Sequence, residues 1–323
     1  MKKPDPSEDG TAPRPRAEWH GKPYNFFGDY LQHRYHTRVL KLPLDAHLSC
    51  PNRDGTLGDD GCVFCRDGSA SPGMSDIQSI AEQMRIAKGS FRRADGETRF
   101  ISYLQAYTNT YAPLQQLKDL YDRAIADPEV IGLMIGTRPD CCPDEVLDLI
   151  ETYRRKDFEL WIELGMQTTH DRSLRLLNRR HTFEHTVDAV DRITKRRIPV
   201  CLHCILGIPG ETWEDMMRTA STVASLPVQG VKLHHLHVIR GTRLEELHEH
   251  GRLPLLSQRD YVSTVCDFIE RLPGDVLIHR LMGDREESTL VAPTWGLHKG
   301  TVMRDIDDMF SRRGTHQGFL AIR

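Results

Sequence analysis

The chain has 323 residues, of which 39% are hydrophobic and 28% charged, and its 43 lysines and arginines nearly balance 46 aspartates and glutamates. A net charge of −3 excludes a globally basic nucleic-acid coat. No run of about 18 apolar residues predicts a membrane span, and Met1-Lys2-Lys3-Pro4-Asp5-Pro6 leads into no secretory h-region.

Residues 1–18 hold Pro4, Pro6, Pro13 and Pro15 among charged and small side chains, without an aromatic. Such a composition cannot bury enough surface to fold and reads as a disordered leader. From Trp19 onward, short apolar runs alternate with longer amphipathic ones. Strands are expected at 39–44, 100–104, 130–135, 160–164, 199–206 and 231–238. Helices are expected near 77–88, 113–126, 144–155, 171–177, 185–196 and 214–225. This alternation indicates parallel βαβ units. It predicts an α/β fold, an incomplete (β/α)6 TIM-like barrel over residues 19–240, with its site at the strand C-termini. Residues 241–323, with a helix near 258–271 and a strand at 276–278, read as a C-terminal extension packed on the barrel. Eight cysteines in such a chain suit a reducing, cytoplasmic compartment, where thiols serve metals or chemistry rather than bridges.

The densest chemical signal follows the first strand. Eleven residues separate Cys50 from Cys62, and two separate Cys62 from Cys65. The intervening loop is rich in Gly, Asp and Asn, so it can wrap a metal and turn thiolates inward. Soft thiolates select zinc, copper(I) or an iron–sulfur cluster. Two readings stand side by side. With His47, the three cysteines would make a closed Cys3His zinc knuckle. Without it, they would hold a [4Fe–4S] cluster with one iron left open, as a catalytic centre requires.

The segment Cys50-Pro51-Asn52-Arg53-Asp54-Gly55-Thr56 resembles the radical S-adenosylmethionine (SAM) superfamily. Within it, the chain is similar to the YhcC/YtqA family, relatives of the elongator catalytic subunit, from about Tyr24 to the C-terminus. The stretch before the first cysteine reads Pro43-Leu44-Asp45-Ala46, where that family has Ser-Leu-Asp-Ala. The resemblance implies that Cys50, Cys62 and Cys65 hold the cluster and that its fourth iron chelates SAM. It also implies a one-electron reductant of flavodoxin or ferredoxin type, and cleavage of SAM to methionine and a 5′-deoxyadenosyl radical. Phe64 matches the aromatic position beside adenine, although a core phenylalanine would read the same way. Gln105 and Thr108 fall in the loop that holds the methionine ammonium. That loop is otherwise a polar turn, and here it has bulky residues where the superfamily has glycines. Gly207 and Pro209, in Gly207-Ile208-Pro209-Gly210-Glu211-Thr212, match the adenine segment, and as residues alone they make a strand-to-helix turn.

Glu163 and Gln167 end the fourth strand, matching the ribose segment. A carboxylate in an apolar strand is expensive unless paired, so Glu163 serves either the ribose or a salt bridge inside the barrel. Cys201 and Cys204 have metal-like spacing but face opposite sides of a strand, so they read as packed thiols. Cys141, His203 and His235 are candidates for hydrogen or proton transfer, with inert packing as the competing reading. The basic pairs, including Arg92-Arg93 and Arg179-Arg180, read as solvated helix faces that could line up as a phosphate track. Relatedness to the elongator subunit implies tRNA as substrate, at the wobble-uridine substituent. A small-metabolite radical enzyme and a zinc-stabilised RNA-binding module are the alternatives.

Overall fold

The computed structural model describes residues 19–66, 76–77, 79–91 and 97–321. The expected leader and the Arg92-Arg93 pair lie outside these residues. Helix α1 (Phe27–Tyr35) leads into β1 (Arg38–Leu44), α2 (Ile80–Ser90), β2 (Thr98–Leu104), α3 (Leu114–Ala124) and β3 (Val130–Thr137). There follow α4 (Asp144–Glu151), β4 (Glu159–Gln167), α5 (Asp171–Leu176), α6 (Phe183–Lys195), β5 (Val200–Leu206), α7 (Trp213–Ser225) and β6 (Gly230–His235). The C-terminal part adds β7 (Val238–Ile239), α8 (Arg243–Glu249), α9 (Gln258–Ile269), β8 (Leu277–Arg280), β9 (Leu290–Ala292) and α10 (Lys299–Arg313).

Seven strands form one parallel sheet in the order β1-β2-β3-β4-β5-β6-β8. The α/β partial barrel expected from the alternation is therefore present, with one strand more than the six expected. The extra one is the 276–278 strand, which joins the sheet beside β6 instead of packing outside it. The sixth strand stops at His235, short of its expected end, because the chain turns and Val238–Ile239 pairs antiparallel with β9. Helices α1, α8 and α10 carry no expectation from the sequence. Among the described residues, no helix is long and apolar enough to cross a membrane.

The sheet curls until its two edges approach. Laid flat, β1 and β8 would lie six spacings apart, about 29 Å at roughly 4.8 Å per strand. Instead, Lys41 of β1 and His279 of β8 both reach Glu163 of β4, at 3.8 and 3.6 Å. Helix α1 fills the seam: Phe26 bridges Ile278, and the Phe27 ring stacks on His279 at 3.9 Å.

Alternation along the strands sorts side chains into two layers. Outward residues such as Leu133, Ile135, Ile162, Leu164 and Leu202 pack under the helices. Helix α6 shows the matching stripe, burying Thr186, Ala189, Val190 and Ile193 at helical spacing. Inward residues Ile101, Met134, Trp161, Cys201 and Leu277 plug the bottom of the barrel. Cys201 and Cys204 fall in different layers, as expected from their spacing.

The closure is tied at both ends of the described chain by Gln317, a buried amide. It accepts from Asn25 N (2.9 Å) and donates to the carbonyls of Pro273 (2.6 Å) and Val276 (2.8 Å). Asn25 O in turn receives Ile278 N at 2.7 Å, at the start of β8. Gln317→Ala removes the side-chain partner of buried Asn25 N and Val276 O and one of the two partners of Pro273 O, and should cost about 2 kcal/mol or more. A lowered urea midpoint is the expected result, and an unchanged one would show that closure does not depend on this residue.

Candidate active site

The cysteine loop leaves β1 and folds on itself. Cys50 O accepts from Arg53 N and Asp54 N, and Pro51 O from Leu57 N, so Pro51–Gly58 forms a compact turn. Cys65 N returns to Cys62 O at 3.0 Å. All three cysteines are free thiols lining one cleft of about 880 Å3 at the C-terminal end of the strands.

The segment after α5 braces this loop. Asn52 Nδ2 donates to Asn178 O (2.6 Å), and Asn178 Nδ2 donates to Gly61 O (2.6 Å). Asn52 Nδ2 also lies 3.6 Å from Cys62 Sγ. Arg179 Nη1 donates to Cys62 Sγ at 3.2 Å, while its Nη2 reaches Gly165 O at 2.7 Å. Gly165 is required by that approach, since a Cβ there would stand 3.0 Å from Arg179 Nη2 and 2.9 Å from Gln167 Nε2. Arg138, paired with Asp140 at 2.7 Å, holds Arg179 O. The solvated-face expectation thus fits exposed Arg180 and fails for Arg179, which is 6% exposed. Sequence reasoning missed this residue because its arginine neighbour made a solvated pair the simpler reading.

His47 is turned away from the thiols. Its Nε2 sits 2.8 Å from Ile77 O beside the Gln83 amide, and its Nδ1 lies 3.8 Å from Asp45. The closed zinc knuckle lacks its fourth ligand for this reason. Three soft thiols on one cleft, with cationic and amide N–H groups aimed at sulfur, suit an iron–sulfur cluster with an open iron.

Of the other expected residues, Phe64, Gln105, Thr108, Glu163, Gln167, His203 and His235 all line this cleft. Thr108 keeps a buried hydroxyl without a partner there. Gly207 and Pro209 are not among the lining residues, and Leu256 covers Gly207. Cys141 is also outside the lining; its thiol lies 3.9 Å from Asp140, and burial pushes it up to about 12.

Glu163 stands among charged partners. It is fully buried at the barrel floor, where Lys232 Nζ stands 2.8 Å away, His203 Nε2 2.7 Å and Lys41 Nζ 3.8 Å. Burial opposes its charge, but Lys232, His203 and Lys41 outweigh burial and hold its carboxyl well below the usual range. The interior salt bridge is present through Oε2, while Oε1 has no hydrogen-bond partner and the residue still lines the cleft. Burial pulls Lys232 down to about 8 against the attraction of Glu163, and it also donates to the Tyr103 hydroxyl at 2.7 Å. Burial, then Lys232, brings His203 down to about 4. Lys232 could have been suspected from a lysine set within the apolar run of the sixth strand.

The radical SAM superfamily pattern matches residues 52–223, and the radical SAM C-terminal domain matches residues 228–312. The chain belongs to the radical SAM superfamily, and its cofactors are a [4Fe–4S] cluster and S-adenosylmethionine. Within it, the chain is a member of the YhcC/YtqA family. It is 38% identical over 298 residues to the uncharacterized protein YtqA of Bacillus subtilis, covering 92% of each chain. It is 39% identical over 290 residues to protein YhcC of Escherichia coli, covering 90% of this chain and 93% of that one. The tRNA uridine(34) acetyltransferase of Dehalococcoides mccartyi is 28% identical over 163 residues, 49% of this chain and 34% of that protein. Archaeal Elp3 from Methanocaldococcus infernus, lacking its N-terminus, has the same fold, with a TM-score of 0.63 at 16% identity. That superposition covers 87% of this chain and 64% of Elp3.

The floor lysine makes stability depend on pH. The folded state releases the Lys232 proton near 8, whereas the unfolded chain keeps it to about 10.4. The unfolded state therefore binds more protons between those values, and stability rises with pH across that window. Lys232→Met should shrink the rise, as read from urea midpoints at about pH 8 and pH 10. An equal rise in both proteins would contradict the assignment.

Proposed function

We propose that the protein is a radical SAM enzyme in which Cys50, Cys62 and Cys65 hold the cluster, and that it modifies the wobble uridine of tRNA. The carrying observation is the convergence of three free thiols on the same cleft that descends to the barrel floor. A cluster held by Cys50, Cys62 and Cys65 would supply one-electron reduction of SAM, the electron coming from an external reductant.

The chain's own residues do the rest. Arg179 and Asn52 orient Cys62 through their N–H groups. Phe64, Gln105, Thr108 and Gln167 form the part of the wall available to SAM. The apolar plug under Glu163 closes the far end, so water cannot cross the barrel to a reactive carbon.

The tRNA part rests on the match to a tRNA uridine(34) acetyltransferase and on the cleft mouth. There Arg53 and Arg66 line the opening, and the Arg53 guanidinium lies 5.6 Å over the Tyr107 ring. An arginine and an aromatic side by side suit both phosphate and base stacking. Acetyl transfer is not carried over, since the match covers 34% of that protein.

Anaerobically purified protein should contain iron and sulfide and cleave SAM on reduction. Cys62→Ala should lose both iron and cleavage, and persistence of either would reject the ligand set. Nucleoside profiling of tRNA from cells lacking the protein should show a changed wobble uridine. An unchanged profile would move the substrate to a small metabolite, for which a cleft of about 880 Å3 is large enough.

A further inference from the structure

One wall of the cleft carries cations that the protein does not neutralise. Arg280, the last residue of β8, lines the cleft. Its Nη2 donates to His234 Nδ1 at 3.2 Å, and its buried Nε has no hydrogen-bond partner. Arg285, also lining, donates from Nε to His237 Nε2 at 3.4 Å. Among the described residues, neither guanidinium forms an ion pair with a carboxylate.

Glu163 and Asp284 favour the Arg280 charge, and Asp284 that of Arg285, only from a distance, and the lining carboxylate Glu286 forms no ion pair with either guanidinium. Glu163 is already shared by Lys232 and Lys41. Asp284 is exposed and paired with Lys299 at 2.8 Å. His234 and His237 are pushed well below the usual histidine range by burial and then by Arg280 and Arg285 respectively, so they accept hydrogen bonds as neutral rings. Both rings are seated against Gly283, where a Cβ would stand 2.8 Å from His234 Nδ1 and 3.0 Å from His237 Nδ1. The imidazoles therefore hold the guanidiniums in place without discharging them. A cation withdrawn from water and left without a counter-ion is costly, and it becomes favourable when an anion arrives to pair with it. The cysteines have closer cations: Arg179 donates to Cys62 Sγ at 3.2 Å, and of the second group only Arg285 lies within the field of a cluster thiol, Cys65, while Arg280 does not.

We propose that Arg280, with Arg285 beside it, binds an anionic group of the substrate, a carboxylate or a phosphate, deep in the cleft. The assignment rests on reading this cleft as the reaction chamber. It places a fixed charge on the molecule that reacts, close to the carbon presented to the radical, and it distinguishes that molecule from an uncharged analogue.

The test uses the full-length holoenzyme with saturating SAM and no reductant. Acetate and inorganic phosphate are titrated separately against chloride at constant ionic strength, and the thermal midpoint is followed. At least one of the two should raise the midpoint saturably, and which one does so identifies the anion. Arg280→Gln should weaken that response about tenfold or more. The ligand-free variant should also melt about 2 °C or more above wild type, because it no longer buries an unpaired charge. Should Arg280→Gln fail to fold, Arg285→Gln is read in the same way. No response to either anion, or an equal response in wild type and variant, would overturn the proposal. So would a response seen without SAM and lost with it, since the anion would then be SAM's own carboxylate. Reductive SAM cleavage by the wild type is measured alongside. Its absence with a retained anion response sinks the radical reading alone, and its presence without that response sinks the anion site alone.

Discussion

A single carboxylate organises the interior. Glu163 stands on β4 and is approached by Lys41 from β1, His203 from β5, Lys232 from β6 and His279 from β8. Removing a charge from water costs several kcal/mol unless partners are held in good geometry, so these strands are not free to slide. In a strand, a slip of one residue reverses every side chain, and here it would carry a lysine or a histidine out of the barrel. The sheet's register and its curl thus follow from one electrostatic requirement, and the plug of Trp161, Met134 and Leu277 beneath it keeps that requirement dry.

Above this floor, the cleft is divided by chemistry. The cysteine side is built from a turn-rich loop and a brace of Asn52, Asn178, Arg179 and Arg138, in which each polar group fixes the next. The C-terminal side is built from β8 and the segment after it, and it contributes guanidiniums and neutral imidazoles. One wall comes from the segment between β1 and α2, the other from residues about 200 positions later. The C-terminal part is consequently a component of the chamber rather than a cover on it.

Much of this was legible in the sequence, for physical reasons that differ from element to element. The strand and helix alternation is a short-range signal, and six strands with their helices follow from it. Cys50, Cys62 and Cys65 announced a metal because their spacing and residue type are both rare. The salt bridge of Glu163 is legible only as a possibility in the sequence, since its partner Lys232 lies 69 positions away along the chain. Arg179 was misread because pairing of adjacent arginines says nothing about which one points inward. The 276–278 strand was visible, but its place in the sheet depends on the path of the preceding helix, which local pattern does not encode. Trp161 with Glu163, Cys201 with His203, and Leu277 with His279 do repeat one inward rhythm, apolar below and polar above. Lining up such pairs across strands would have revealed the charged floor.

The amide of Gln317 has a consequence for the order in which the protein is made. Because synthesis runs from the N-terminus, β1 to β6 emerge while the β8 edge and its tie to Asn25 are still inside the ribosome. Until then, Lys41 and Glu163 share an unsealed trough open to water, where their charges cost little. The seam closes when β8 meets β6, α1 packs across it and Gln317 ties Asn25 to Val276, and only then do the buried charges become a commitment. Sealing the barrel therefore joins residues from the start, the eighth strand and the far side of α10, and no single stretch of the chain can close it alone.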